Sequence, residues 1–345
     1  MVKFCKKTLL NEEIKFKQVI KLDLIKEIHG YLSEDIAAMN KIIVNSLDTD
    51  EELIQLVSNH LATSGGKRIR PILTMLSSRM FGYNGENTIR LAAAVEFIHM
   101  ATLLHDDVVD GSKMRRFLPS ANVVWGNKAS ILVGDFLFSQ SFKLIVSTQL
   151  MPALVVLSNA SAVIAEGEVS QLAQLEQKKL ILEQEYLNII NAKTAELFGS
   201  ACEVGAIVAG KESSAKDLKE FGFRLGNIFQ IADDALDYFS DKAGKNAGDD
   251  FYEGKVTLPL ILLNEKIPVS DSTKLQQMLG SKASSASDFA WVKILMKNYK
   301  LQEYLTSYLR NLKQDALDLL EKIDVQNNCK NYLKELVEFA ISRKY

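Results

Sequence analysis

The sequence predicts an all-α protein built as a single large helical bundle. Three observations predict this class: helix breakers are rare, apolar residues recur at helical spacing along most of the chain, and no alternating strand–helix units occur. The 345 residues include 18 Gly and only 5 Pro, and 47% of them are hydrophobic. Because Pro and Gly interrupt helices, so few of them in so long a chain favour long helices around a sizeable core.

The apolar pattern predicts the helices in order. The first helical stretch ends at Ser64-Gly65-Gly66, and Pro71 suits the first turn of the next helix. Residues 266–288 are rich in Ser and Lys and are expected to form a surface connection. We expect residues 1–50 to be a helical extension packed on a catalytic domain of residues 51–345. The predicted helices cover about 18–62, 88–109, 129–148, 152–177, 183–209, 215–239, 257–265, 289–298 and 301–343, the last broken near Asn327-Asn328.

Charge and cysteine usage exclude several classes of function. The 41 Lys and Arg against 43 Asp and Glu leave a net charge of −2, which offers no general attraction for nucleic acid. Cys5, Cys202 and Cys329 lie far apart, so neither a disulfide framework nor a cysteine zinc site is indicated. No uninterrupted apolar run of about 18 residues predicts a transmembrane segment, and no secretory signal is recognisable. We therefore expect a cytoplasmic protein.

The segment of residues 91–110 is apolar on nearly every side, yet its C-terminal end carries three aspartates. At about 100° per residue, Asp106 and Asp110 share one sector with His99, and Asp107 lies at the border of that sector. Gly111 is the expected cap. These carboxylates repel one another and the negative helix end, so such a cluster persists only where cations neutralise it. Oxygen ligands four residues apart suit Mg²⁺, which also binds substrate phosphates.

A second acidic cluster follows the same rule near residue 233. Gln230, Asp233, Asp234 and Asp237 are spaced three, four and seven residues apart, which places them on one helix face. One such cluster alone could be a solvated helix end. Two of them, each ending a mostly apolar helix, indicate a site for divalent cations.

Cationic residues accompany both acidic clusters. Arg and Lys bind phosphate oxygens, although each taken alone is more often a surface charge than a ligand. Lys193 is the strongest candidate, because its neighbours on the predicted helix are apolar. The candidates are Lys67, Arg70, Arg115, Arg116, Lys193, Lys245 and Lys255.

Several common catalytic classes are disfavoured. The sequence has no HExxH, no G-x-S-x-G and no dinucleotide fingerprint, which argues against zinc hydrolases, serine hydrolases and NAD enzymes. His29, His60 and His105 are interpreted as ordinary polar positions, whereas His99 shares the sector of the first acidic cluster.

Seven motifs in a fixed order then identify a family. From about residue 50 to the C-terminus, the sequence resembles the trans-polyprenyl diphosphate synthases, the head-to-tail prenyltransferases, and most of all the octaprenyl-type synthases that make quinone side chains. One departure is Phe117, where the family usually has Gly after the arginine pair. The motifs are GGKRIRP (65–71), HMATLLHDDVVD (99–110), MRR (114–116), EGEVSQ (166–171), AKTAELF (192–198), FQIADDALD (229–237) and GDDFYEGKVTLPL (248–260).

The resemblance implies an isoprenoid (terpenoid) synthase fold with a central cavity, two aspartate motifs facing each other across it, and a homodimer. It also implies about three Mg²⁺ per active site, with Asp106, Asp110 and Asp233 as ligands and Asp107, Asp234 and Asp237 as supporting carboxylates. Isopentenyl diphosphate would be held by Lys67, Arg70, His99 and Arg116. The allylic diphosphate, farnesyl or geranyl, would be held by Arg115, Lys193, Lys245 and Lys255, while Thr194 and Gln230 would present oxygens to the developing allylic cation.

Product length should depend on the residues before the first aspartate. Short-chain members of the family carry bulky aromatics four and five positions before it, whereas this sequence has Thr102 and Ala101 there, with Ile98 one turn deeper. An open floor predicts a medium or long all-trans product, with C40 favoured over C45 and C50. Because such a product is strongly apolar, we expect the protein to contact a membrane at its periphery when the product is released.

Three alternatives stay open at this point. One is a shorter-chain farnesyl or geranylgeranyl synthase. Another is a terpene cyclase, against which the isopentenyl diphosphate residues Lys67 and Arg70 and the second aspartate motif argue. The third is a non-catalytic subunit of a heteromeric synthase, against which both intact aspartate motifs argue.

Overall fold

The computed structural model describes residues 24–63, 66–116, 118–177, 179–239, 248–280 and 285–342. These residues are almost entirely helical, which confirms the predicted all-α class. The chain divides into two compact units. The first unit comprises Met1–Met151 with Asn327–Glu335, and the second comprises Pro152–Gln326 with Leu336–Tyr345. The predicted boundary near residue 50 stays a prediction, and residues 1–23 of the expected extension lie outside the described residues.

The first unit is organised around one long interior helix, α5. Helix α5 packs against α2, α4 and α7, and most of its side chains are buried, as its nearly continuous apolar sequence predicts. Pro71 lies in the first turn of α4, where its missing N–H costs no helical hydrogen bond. The elements of this unit are α1 (24–31), α2 (Ser33–Ser46), α3 (Glu52–Thr63), α4 (Ile69–Arg79), α5 (Glu86–Val109), β1 (Met114–Arg115), β2 (Leu118–Pro119), α6 (Ala121–Trp125) and α7 (Asn127–Ser147).

A short hairpin follows α5, which the sequence pattern does not predict. Strands β1 and β2 pair antiparallel, with Met114 opposite Pro119 and Arg115 opposite Leu118. Two residues per strand are too few to produce a recognisable alternation of apolar and polar side chains. Phe117, the departure from the family pattern, lies outside the described residues.

The second unit is organised around helix α11. Helix α11 packs against α10, α13 and α16 and against a π-helical turn. The elements are α8 (Met151–Gln177), α9 (Glu183–Ile190), the π turn (Asn191–Ala195), α10 (Glu196–Val208), α11 (Glu212–Phe239), α12 (Asp249–Tyr252), α13 (Leu258–Asn264), α14 (Val269–Gly280), α15 (Ala286–Asn298) and α16 (Leu301–Glu321), while α17 (Asn328–Ile341) contributes to both units. The gap between α16 and α17 confirms the predicted break near Asn327-Asn328.

The expected surface connection over residues 266–288 is wrong. Its first half forms helix α14, and residues 281–284 lie outside the described part. The helix buries Leu275, Met278 and Leu279, which are three and four residues apart and therefore share one face. The many Ser and Lys residues around this short apolar face conceal it, because they dominate the composition.

Two helices are long and apolar enough to cross a membrane by length and composition alone, although no uninterrupted apolar run predicts a span. They are Asn127–Ser147 in the first unit and Met151–Gln177 in the second. Only about a third of each apolar window is buried inside the chain. Both helices therefore leave apolar side chains exposed.

Candidate active site

The first acidic cluster lies where the sequence predicts it, at the C-terminal end of α5. Asp106 occupies the last turn, and Asp110 is the C-cap residue, whose N–H donates to the Asp106 carbonyl at 2.8 Å. Gly111 follows with φ +63°, which confirms the predicted cap, since a left-handed conformation favours glycine. Asp106 and Asp110 are half-buried. The helix end thus presents two carboxylates one turn apart.

The charge of Asp107 is neutralised within the chain. Its side chain is 1% exposed and receives a bidentate ion pair from Arg115. The Arg115 Nε lies 3.0 Å and 2.9 Å from the two carboxylate oxygens, and Nη2 lies 2.7 Å from Oδ1. Strand β1 supplies Arg115, so the hairpin and α5 are held together at this point. This arrangement fits a supporting carboxylate.

A small cationic cleft lies in the first unit. Its lining includes Arg68, Glu96, His99 and Arg116, and Arg70 contacts this group through His99. The Arg70 Nη1 donates to the His99 Nε2 at 3.0 Å. Because the guanidinium groups of Arg68 and Arg116 line this small space, the cleft is suited to a polyanion such as a diphosphate.

Burial and neighbouring charge set the protonation of this cleft. Burial lowers the pKa of His99 well below 6.5, and the positive charges of Arg70 and Arg116 lower it further. Burial also lowers the pKa of Arg70 to about 10, which leaves it charged at neutral pH. Burial raises the pKa of the Glu96 carboxyl, while Arg68 and Arg70 counteract that rise. His99 is therefore neutral. Because its Nε2 accepts a hydrogen bond from Arg70, the ring proton is on Nδ1.

The second acidic cluster lies near the C-terminal end of α11. Asp233 is exposed, Asp237 is half-buried, and Asp234 is 5% exposed. Burial raises the pKa of Asp234 to about 7, although hydrogen bonds from Tyr186 and Gln230 oppose the rise. Burial also raises the pKa of Asp237 to about 6. The three carboxylates on one helix face consequently occupy three different environments.

Asp237 holds the start of helix α12. Its Oδ1 accepts from the backbone N–H groups of Gly248 and Asp249, each at 3.1 Å, and its Oδ2 accepts from Asp250 N–H at 3.2 Å. The same segment carries Lys255, whose Nζ lies 2.8 Å from the Glu253 carboxylate. Asp237 thereby positions the segment that follows it, which fits a supporting role. Lys245 lies outside the described residues.

A chain of hydrogen bonds links Asp234 to two predicted substrate contacts. Tyr186 Oη donates to Asp234 Oδ2 at 2.6 Å, and Gln230 Nε2 donates to Asp234 Oδ1 at 2.7 Å. Thr194 Oγ1 donates to Gln230 Oε1 at 2.9 Å. Burial and the adjacent Asp234 raise the pKa of Tyr186 well above 10, so its hydroxyl keeps the proton that it donates.

Lys193 and Thr194 lie on the π turn, an irregularity that is frequent at functional sites. The Lys193 Nζ donates to Glu168 Oε2 at 2.8 Å and to Gln171 Oε1 at 3.1 Å, both on α8. Gly167 allows this close approach, because a Cβ there would lie 2.7 Å from the Ala192 Cβ. The EGEVSQ segment therefore serves as the partner of the AKTAELF segment.

The donor chemistry of the acidic clusters fits Mg²⁺. Within the described part of the chain, no group of three or more His, Cys, Asp or Glu side chains could hold a metal ion by itself. Mg²⁺ retains several waters and is commonly bound by one or two carboxylates together with substrate phosphates. Asp106 with Asp110, and Asp233 on α11, supply such incomplete oxygen sets. The predicted opposition of the two clusters across a cavity stays a prediction.

The residues predicted to govern product length lie on α5, N-terminal to Asp106. Ile98 and Ala101 are each 1% exposed, and Thr102 is half-buried with its hydroxyl donating to the His99 carbonyl at 2.8 Å. Both Ala101 and Thr102 are small side chains within a closely packed interior helix. Their role in product length stays a prediction.

Three residues that the sequence analysis does not assign also belong to these arrangements: Glu96, Glu168 and Tyr186. Glu96 carries a visible signal, since it is a lone carboxylate inside the apolar run LAAAVEFIHM. Glu168 lies in a quoted motif, but its partner on another helix cannot be read from the spacing. Tyr186 resembles any core tyrosine, because only the fold brings it to Asp234.

Comparison with known proteins identifies the family of the chain. Residues 51–296 match the family model described as Polyprenyl synthetase. The chain is 44% identical to the octaprenyl diphosphate synthase of Escherichia coli (strain K12) over 240 residues, which cover 69% of this chain and 74% of that protein. The relatives also include synthases of shorter prenyl chains.

Solved structures give the same result for the fold. A decaprenyl diphosphate synthase from Rhodobacter capsulatus superposes with a TM-score of 0.88 at 39% identity, covering 93% of this chain and 99% of that chain. A polyprenyl synthase from Caulobacter crescentus CB15, complexed with calcium and isoprenyl diphosphate, gives 0.87 at 40% identity, covering 93% and 98%. The chain therefore belongs to the polyprenyl synthetase family and is an enzyme that transfers prenyl groups.

Proposed function

We propose that this enzyme condenses isopentenyl diphosphate with an allylic diphosphate, farnesyl or geranyl, to give a medium- or long-chain all-trans polyprenyl diphosphate. The observation that carries the proposal is the pair of acidic helix ends, each with cationic side chains in its own unit. Arg70 and Arg116 accompany the first cluster, and Lys193 accompanies the second. The similarity to octaprenyl and decaprenyl synthases supports the product class.

The first step requires stabilisation of a leaving diphosphate. Asp106, Asp110 and Asp233 would hold Mg²⁺, whose Lewis acidity weakens the allylic carbon–oxygen bond. Lys193, Lys255 and Arg115 would bind the oxygens of the same diphosphate, since fixed cations near developing negative charge lower the barrier. Cleavage of the bond sends its electron pair to the diphosphate and leaves an allylic cation.

The second step joins the allylic cation to isopentenyl diphosphate. The double bond of isopentenyl diphosphate attacks the cation, a carbon–carbon bond forms, and the departing diphosphate takes the proton that is lost. Lys67, Arg70 and Arg116 would bind the diphosphate of this substrate, and neutral His99 would donate its ring N–H. Thr194 and Gln230 would direct oxygens toward the cation. No protein nucleophile is needed for this reaction.

We propose C40 as the main product, for a quinone side chain, with C45 and C50 as alternatives. The support is the small size of the Ala101 and Thr102 side chains on α5, since bulkier residues at these two positions would end a growing chain. The 44% identity to an octaprenyl synthase agrees with this length.

We also propose that two copies associate through the exposed apolar faces of α7 and α8. On α8, Met151, Val155, Val169 and Leu172 are 44–67% exposed, and at 100° per residue they fall within a sector about 100° wide. An apolar stripe of this kind in contact with water favours burial against a partner. We propose as well that the protein is cytoplasmic and contacts membranes only at its periphery, during the release of its apolar product. Sedimentation velocity tests the association: a dimer is expected, and a monomer at micromolar concentration contradicts it.

Product analysis tests the proposed reaction. The purified chain is incubated with farnesyl diphosphate and labelled isopentenyl diphosphate, with and without Mg²⁺, and the products are separated by chromatography after removal of the diphosphate. We expect Mg²⁺-dependent elongation mainly to C40. A hydrocarbon released from farnesyl diphosphate alone would indicate a cyclase, products of C15 or C20 a shorter-chain synthase, and activity only with a second protein a non-catalytic subunit.

A further inference from the structure

The hydroxyl of Tyr186 is a buried donor that the proposed reaction does not use. Tyr186 lies on α9 and is 3% exposed, and its hydroxyl donates to Asp234 at 2.6 Å. An aromatic ring this deeply buried packs against its neighbours equally well as tyrosine or as phenylalanine. The hydroxyl must therefore be explained by the carboxylate that it contacts.

Both carboxylate oxygens of Asp234 accept hydrogen bonds from other side chains of the protein. Oδ2 accepts from Tyr186, and Oδ1 accepts from the Gln230 amide at 2.7 Å. Asp234 is 5% exposed, whereas its neighbour Asp233 is exposed. The geometry separates the two adjacent aspartates: Asp233 is exposed at the surface, and Asp234 connects α9 with α11 from the inside.

The Gln230 amide is oriented by this connection. Its NH₂ group donates to Asp234, so its Oε1 must point the other way, where it accepts from Thr194 Oγ1 at 2.9 Å. A rotated amide would place its oxygen against the Asp234 carboxylate, which is unfavourable because neither group can donate, whereas the Thr194 hydroxyl can accept as well as donate. The direction of the amide dipole thus depends on Asp234 remaining in place.

We propose that Tyr186 is a positioning residue for prenyl transfer, which acts through Asp234 to fix the Gln230 oxygen and the Thr194 hydroxyl in the orientation that stabilises the allylic cation. The inference rests on the proposed function, because it assigns Thr194 and Gln230 to that cation. Such preorganised dipoles act on the transition state more than on bound substrate, so their loss lowers kcat rather than raising KM.

The test is Tyr186→Phe, with Tyr308→Phe as the matched control. Tyr308 Oη donates to the Glu183 carboxylate at 3.0 Å, so the control removes a tyrosine–carboxylate hydrogen bond to the same helix α9. We expect Tyr186→Phe to lower kcat about 10-fold with the KM for isopentenyl diphosphate changed less than about twofold, and Tyr308→Phe to leave both unchanged. In a Gln230→Met background, Tyr186→Phe should have no further effect on kcat.

Two results would overturn the inference. One is a kcat for Tyr186→Phe equal to that of the unmodified enzyme, and the other is an equal loss in both tyrosine variants, which would reflect loosening of α9. If Tyr186→Phe does not fold, as judged by circular dichroism, Asp234→Asn takes its place, because an amide can accept from only one of the two donors. A normal kcat in Asp234→Asn would equally overturn the inference. Failure of the unmodified enzyme to elongate any substrate would instead refute the proposed function.

Discussion

The Asp107–Arg115 ion pair provides a quantitative test of how the first acidic cluster is held. Truncating Arg115 to Ala would leave the Asp107 carboxylate 1% exposed and without the three close N–H contacts that Arg115 supplies. Removal of one partner from a buried ion pair costs about 3–5 kcal/mol. Because the Arg115 side chain is 24% exposed, water can reach the vacated space, and we expect a loss near the lower end, about 3 kcal/mol.

Guanidinium denaturation measures this loss. We expect Arg115→Ala to shift the transition midpoint downward with little change in slope. Adding Asp107→Asn should recover most of the loss, because a neutral amide costs far less to bury than an isolated carboxylate. If Arg115→Ala retains full stability and only the KM for the allylic diphosphate rises, the ion pair does not hold the cluster, and Arg115 serves the substrate alone.

Three further predictions concern other parts of the site. The ring signals of His99 should show no titration near pH 6.5 in NMR spectra, because its pKa lies well below that value. For the same reason, wild type should lose stability relative to His99→Gln as the pH falls below about 6.5; a ring that titrates near 6.5 would contradict this. Gly167→Ala should cost about 1–3 kcal/mol and raise the KM for the allylic diphosphate, since the added Cβ meets the π turn beside Lys193, whereas Gly30→Ala, with nothing within 4 Å, should be neutral. Ala101→Tyr and Thr102→Phe should shorten the product in chromatography, and an unchanged length in both variants would show that this part of α5 does not limit the chain.

Much of the fold can be predicted because long apolar helices leave a strong pattern. Helix α5 is predicted over 88–109 and observed over Glu86–Val109, and its interior position follows from apolar residues on every side. Helix α14 is missed because its apolar face is short and surrounded by Ser and Lys. The π turn is missed as well, since a single inserted residue does not disturb the helical spacing enough to be read from the sequence.

The candidate site also has features that the sequence predicts and features that it does not predict. Acidic residues at helix ends can be found from sequence, because carboxylates in an apolar helix are costly and their spacing defines a face. The partners that give each carboxylate its role come from distant segments. Arg115 reaches Asp107 through a hairpin, and Tyr186 reaches Asp234 from another helix. Residue spacing alone cannot distinguish a carboxylate available to a metal ion from one held by the chain.

The central claim is that both acidic helix ends bind the divalent ions that drive prenyl transfer, and the most direct measurement is turnover as a function of Mg²⁺ concentration. Asp106→Asn, Asp233→Asn and the exposed control Asp315→Asn are assayed with farnesyl and labelled isopentenyl diphosphate. We expect each of the first two variants to lose at least about 10²-fold in kcat, with no recovery at high Mg²⁺, while the control behaves as wild type. Near-normal turnover in either site variant, at the same Mg²⁺ concentration as wild type, would contradict the account.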